Sequence, residues 1–207
     1  MLLVDHPNGK VAVAQPAHAF ISGQLARAWA GELYPRDEVC LAAEQHDMPW
    51  LDWERDPSYD PRTGYPHTFM SLDMPTKLAL WAEGPDGLVA QSRYAALLVS
   101  MHGSRLYEDL DRREFERAIR ATLDAPDEEI ERNHRLIGLW DGLSLAILLD
   151  WAPWSAEGVT LQTGGVVAPW PFATESLTVR CDGRLLREPG TPLDDAPWVD
   201  LTYELRQ

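Results

Sequence analysis

The chain has 207 residues, 45% of them hydrophobic and 25% charged, and a formal net charge of −15. This length and composition describe one sizeable globular core, and they exclude a disordered chain or two full domains. The acidic excess repels a phosphate backbone or an anionic bilayer, which argues against general nucleic-acid or membrane binding. A bound cation reverses that field locally, so a small phosphorylated substrate stays open.

Taken in chain order, Leu2-Leu3-Val4 and Val11-Ala12-Val13 flank Asn8-Gly9 and predict a β-hairpin with an Asn-Gly turn. Ala17, Phe20, Ile21, Leu25, Ala28 and Trp29 recur at helical spacing over 16–30, with Gly31 as the stop. A second helix starts with Asp37 as its cap and ends near the adjacent pair His46 and Asp47. Residues 48–71 carry four prolines and several aromatics, and predict a long loop without a regular element. Helical patterns then resume: one helix capped by Ser71 or Asp73 and running to Glu83, one over 87–101, one over 111–123, and a long apolar one over 127–150. Beyond Asp150, alternation over 159–161, 176–180 and 199–203 predicts strands, with Asp182-Gly183 as a turn. The N-terminal hairpin and this tail are expected to share one sheet.

No uncharged apolar run approaches the roughly 18 residues that a membrane span needs. Asp5 interrupts the apolar start too early for a signal peptide, so the expectation is a cytoplasmic protein. Cys40 and Cys181 lie far apart with no CxxC spacing and read as reduced thiols.

The residues that point to chemistry are His18, His46, Asp47, His102 and Asp141. Singly, each has an ordinary role: a histidine on a helix is more often hydrogen-bonded or exposed than a ligand, and Asp141-Gly142 reads as a kink. Context favours more. Asp141 interrupts Leu136 to Trp140 and Leu143 to Leu148, where a carboxylate is costly to bury without a partner or a metal. His102 ends an equally apolar helix. Adjacent residues lie about 100° apart on a helix, so at a helix end His46 and Asp47 can lean toward one point. With His18 and Asp141 they compose a mixed N/O site suited to a divalent metal ion. His134, seven residues before Asp141 and about 10.5 Å away along the axis, reads as a rim or surface residue.

The order His18, His46-Asp47, Asp141 resembles the HD superfamily of metal-dependent phosphohydrolases over 16–150. Glu44-Gln45-His46-Asp47, Thr63-Gly64-Tyr65-Pro66, the stretch from Ala96 to Gly103, and Trp140 to Leu145 also resemble an uncharacterised bacterial family named only as a domain of unknown function. The HD resemblance implies an HD-like helical bundle over 16–150; with the strand patterns at both ends, the expectation is a single-domain, mainly α protein with a small β-sheet from extensions 1–14 and 151–207, a tail that is not a standard HD part. It implies metal ligation by His18, His46, Asp47 and Asp141, the ion being manganese, iron, nickel, cobalt, zinc or magnesium. It implies hydrolysis of a small phosphorylated molecule, with Asp47 orienting the attacking water and His102 protonating the leaving group or steadying the phosphoryl oxygens. Trp50 and Tyr65 in the 48–71 loop are candidates to stack on the substrate, and Lys77 and Arg93 to neutralise its phosphate. Two other functions fit the same residues: a di-iron oxygenase of the HD type that also uses His102, and a catalytically degenerate HD-like fold that binds a protein partner.

Overall fold

A computed structural model describes all 207 residues. Strands β1 (Leu2–His6) and β2 (Gly9–Val13) form the N-terminal hairpin, with His6 paired to Gly9. The two-residue turn is therefore Pro7-Asn8, one position earlier than the Asn-Gly reading. Helix α1 (Gln15–Ala28) has Pro16 in its first turn, where the missing N–H costs nothing. Helix α2 (Arg36–Gln45) ends at His46, whose backbone is still helical, while Asp47 has left the helix.

The segment expected to be irregular holds a 3₁₀ turn at Met48–Trp50 and a short helix α3 (Leu51–Glu54) before its prolines take over. Helix α4 (Met74–Glu83) is capped by Asp73, which accepts the Thr76 N–H at 2.9 Å. The expected helix over 87–101 divides in two. Gly84–Ala90 is 3₁₀, and α5 (Arg93–Leu106) starts afresh where Ser92 Oγ accepts the Ala95 N–H. Helices α6 (Arg113–Arg120) and α7 (Asp127–Leu148) follow.

The tail is where the expectation of a mainly α bundle with a small sheet fails. The protein is 47% helix and 21% strand, with one seven-stranded mixed, curled sheet: an α/β fold. Strands β3 (Trp154–Ala156), β4 (Val159–Gln162), β5 (Val166–Ala168), β6 (Ser176–Leu186) and β7 (Trp198–Arg206) join the hairpin in the order β1-β2-β6-β7-β5-β4-β3. All neighbours are antiparallel except β5 and β7, which touch at Val166 and Arg206. The hairpin and the tail do form one sheet, since Val11 pairs with Leu185.

Asp182-Gly183 is no turn. It lies in the middle of β6, where a side chain on Gly183 would collide with Val11 Cγ1 of the neighbouring strand. The glycine is there for close approach and not for its turn geometry.

Helices α1, α2, α5 and α7 pack against one another, and α1 also lies on β6, so a single core runs through both layers. Leu25, Val99, Ile137 and Leu143 from the helices meet Val11, Val13, Val179 and Leu205 from the strands in it. Cys40 and Cys181 are buried free thiols. No helix is long and apolar enough to cross a membrane.

Candidate metal centre

Four helices bring their polar residues to one point in this core. His18 comes from the first turn of α1, His46 and Asp47 from the end of α2, His102 from one turn before the end of α5, which runs on past the expected stop to Leu106, and Asp141 from the middle of α7. The three imidazoles and Asp47 are buried; the Asp141 side chain, 14% exposed, is where solvent reaches the group.

The donor atoms lie close enough together to hold one ion. His18 Nε2 lies 2.7 Å from Asp47 Oδ2 and 3.7 Å from Asp141 Oδ1. His46 Nε2 lies 3.4 Å from Asp141 Oδ1 and 3.7 Å from Asp47 Oδ2, and His102 Nε2 lies 3.6 Å from Asp141 Oδ2. Metal–ligand bonds of about 2.0–2.2 Å put neighbouring donors roughly 3 to 3.5 Å apart, and the gaps here, from 2.7 to 3.7 Å, bracket that spacing.

The outer partners orient the rings. His46 Nδ1–H donates to the Ala43 carbonyl at 2.9 Å, which turns the Nε2 lone pair inward. Ser144 Oγ–H donates to the Asp141 carbonyl, leaving its oxygen to accept His18 Nδ1–H at 2.8 Å. Gln15 Nε2–H donates to Asp47 Oδ2 at 3.0 Å, and Glu54 in turn accepts the Gln15 backbone N–H. Fixing one ring nitrogen on a carbonyl or hydroxyl so that the other faces a metal is the usual arrangement around ligating histidines.

Electrostatics tell the same story. Burial opposes the charged form of His46, but Asp47 and Asp141 outweigh it and push its pKa up to about 9. A proton there compensates two buried carboxylates. Burial would raise the pKa of Asp47 and Asp141, and the neighbouring histidines instead hold both below the usual carboxylate range. His102 is different: burial pushes it down to about 4, so it is neutral at pH 7.

His46 Nε2 and both nitrogens of His102 are buried without a hydrogen-bond partner. Each such orphan costs about 1–3 kcal/mol, a cost that coordination would remove at His46 Nε2 and His102 Nε2, the nitrogens that face the carboxylates. His18, His46 and Asp47 form one group of donors that could hold a metal ion, and His46, His102 and Asp141 a second that overlaps it.

The predicted substrate contacts fare differently. Trp50 is only 1% exposed and packs edge-on against Trp53 in the core, so it has no free face. Tyr65 packs against Met1, Ala12, Leu186 and Ala196 on the sheet. The rest of the 48–71 loop is sewn to the same place: Phe69 N–H donates to the Met1 carbonyl, Gly190 N–H to Gly64 and the Tyr59 hydroxyl to Thr191. Trp50 is buried and Trp53, Tyr59, Tyr65 and Phe69 are half-buried, because covering the body removes part of each ring from water, and the loop acts as a strap. Arg93 opens α5 nine residues before His102, about 13 Å along the axis, and its guanidinium binds the Thr122 carbonyl. Lys77 sits half-buried on α4, one turn before Trp81. His134 is half-buried, and burial followed by the charge of Arg105 lowers its pKa.

Several residues of the site went unnoticed in the sequence. Gln15 and Ser22 flank His18 at helical spacings of three and four, and Ser144 follows Asp141 by three. The helical periodicity that located the ligands would also have found them. Trp81, which stands beside His102, and Tyr107, which packs on Trp81, carry no such signal.

Fold and site together define an α/β protein with a buried cluster of three histidines and two aspartates able to bind a divalent cation. The chain belongs to the family described as "Protein of unknown function (DUF3891)", whose profile matches residues 1–188. Neither the curated proteins nor the solved structures contain a match to it.

Proposed function

We propose that this protein is a metal-dependent hydrolase of a small phosphorylated molecule, built on an HD-like arrangement of helices. The observation that supports this most is the convergence of His18, His46, Asp47 and Asp141, in HD order, on one buried point with both α1 and α2 rings oriented from behind. An ion held there supplies Lewis acidity and a hydroxide nucleophile near neutral pH.

The chain's own groups have defined parts. The low pKa of Asp47 keeps it ionised, so it can accept and orient a proton of the attacking water. His102 is neutral at pH 7, which makes it a poor general acid but a good hydrogen-bonding group for a phosphoryl oxygen or a fifth ligand. The net charge of −15 disfavours a phosphorylated substrate elsewhere on the surface, and a cation between Asp47 and Asp141 reverses that sign locally.

A two-iron oxygenase is the weaker reading. His46 offers a single free nitrogen, because Nδ1 is held by Ala43, so the two overlapping donor groups cannot both claim it. A second ion would keep only His102 and Asp141. The test is phosphate release from a panel of small phosphomonoesters and nucleotides with added manganese, nickel or cobalt. Activity that disappears with a chelator and in Asp47→Asn supports the proposal; oxygen consumption without phosphate release contradicts it.

A further inference from the structure

Two side chains near the cluster have no part in holding an ion. Trp81, on α4, is completely buried, and its indole N–H has no hydrogen-bond partner. Its six-membered ring lies over Gly103, where a Cβ would collide with Trp81 Cε3, so the glycine admits the indole to this position. The Trp81 ring is centred 5.9 Å from that of His102 and 6.1 Å from that of Tyr107. Tyr107 follows the last turn of α5 and is half-buried. Its hydroxyl faces the Trp81 N–H, but too loosely for a full hydrogen bond.

The phenol also senses the metal centre. Burial first, and then the charges of Asp47 and Asp141, raise its pKa above the ordinary tyrosine range. It remains a neutral donor at any physiological pH. The indole N–H is donor only. Two neutral donors therefore stand in the field of the two carboxylates, with the Trp81 ring against His102 and the phenol beyond it. An anionic oxygen would satisfy both, and donors positioned before the reaction are what stabilise a phosphoryl group whose charge a cation already offsets.

We propose that the Tyr107 hydroxyl and the Trp81 indole N–H form a donor pair that holds an outward oxygen of the substrate's phosphoryl group beside Asp141. This assignment rests on the phosphohydrolase reading of the metal centre. It places the substrate against α4 and the end of α5, and not against the 48–71 strap.

The test is calorimetric titration of inorganic phosphate into the purified full chain incubated with manganese, as wild type and as Tyr107→Phe. The variant keeps the ring against Trp81 and loses only the hydroxyl. Phosphate binding weakened about ten- to a hundredfold, with metal content and melting temperature unchanged, is the expected result. Equal binding by both proteins overturns the donor pair, as does a wild type that binds no phosphate. Metal content measured on the same samples separates the two readings. A wild type that takes up no metal contradicts the metal centre, while phosphate binding that still depends on the hydroxyl upholds the pair.

Discussion

His46 Nε2 stands 3.4 Å from Asp141 Oδ1, close enough to share a charge yet without the alignment of a hydrogen bond. In the metal-free chain a proton on His46 compensates this contact; with an ion bound, the ion takes over that part.

The consequence is a stability profile with two limbs. The pKa of His46 is raised to about 9 in the fold, so its contribution is complete below the unfolded value of 6.5 and is lost as pH rises toward 9. His102 is lowered to about 4, so its contribution is complete above 6.5 and is lost as pH falls toward 4. Metal-free protein should melt highest near pH 6.5 and lower on both sides. Excess manganese should remove the alkaline limb, and metal affinity should rise up to tenfold per pH unit between 6.5 and 9 as His46 gives up its proton. Thermal melts in chelator and in manganese from pH 4 to 10 check this; a metal-free optimum at pH 9 would contradict it.

Ser144 offers the cluster no ligand atom and reaches it through the His18 ring. Ser144→Ala removes the acceptor of His18 Nδ1–H and frees the ring to rotate, leaving the five donors intact. Metal affinity should fall about ten- to a hundredfold. Chelator competition measures it, and circular dichroism should show unchanged helix content. Unaltered affinity would mean that the packing of α1 alone holds the ring.

The sheet is a structural layer and not an appendage, since α1 rests on β6. A chain ending at Asp150 would uncover Leu25 and its neighbours together with the apolar faces of β1 and β2, and should aggregate. Gly183→Val is the milder form of the same test: its side chain would collide with Val11 and cost about 1–3 kcal/mol. Size-exclusion chromatography and urea unfolding check the two. A monomeric, cooperatively folded truncation would show the helices to be self-sufficient.

The helices were legible because their signals are local. Asp73 caps α4 as its type and position indicate, and the apolar spacing of α1 and α7 survives intact. The sheet was legible only in part: β1, β2, β4, β6 and β7 carry the alternation read from the sequence, but β3 and β5 have three residues each, too few for alternation, and Asp182-Gly183 has the composition of a turn. Only the neighbouring Val11 reveals what that glycine does. The candidate ligands stood out for an energetic reason: a histidine or carboxylate among leucines is costly unless it is paired. Trp50 and Tyr65 misled for the converse reason, since the aromatic residues that suit a substrate also suit a core. Trp81 and Tyr107 share that ambiguity, and only the orphaned indole N–H distinguishes them.

The central claim is that His18, His46, Asp47 and Asp141 hold a metal ion. Its most direct test is elemental analysis of the full chain as wild type, His46→Ala and Asp47→Ala, purified without chelator and then equilibrated with manganese, iron, nickel, cobalt, zinc or magnesium. At least one ion should bind the wild type stoichiometrically and survive gel filtration, and both variants should lose it while keeping their helical signal. Wild type and variants with the same metal content, or a wild type that retains none of these ions, would contradict the assignment.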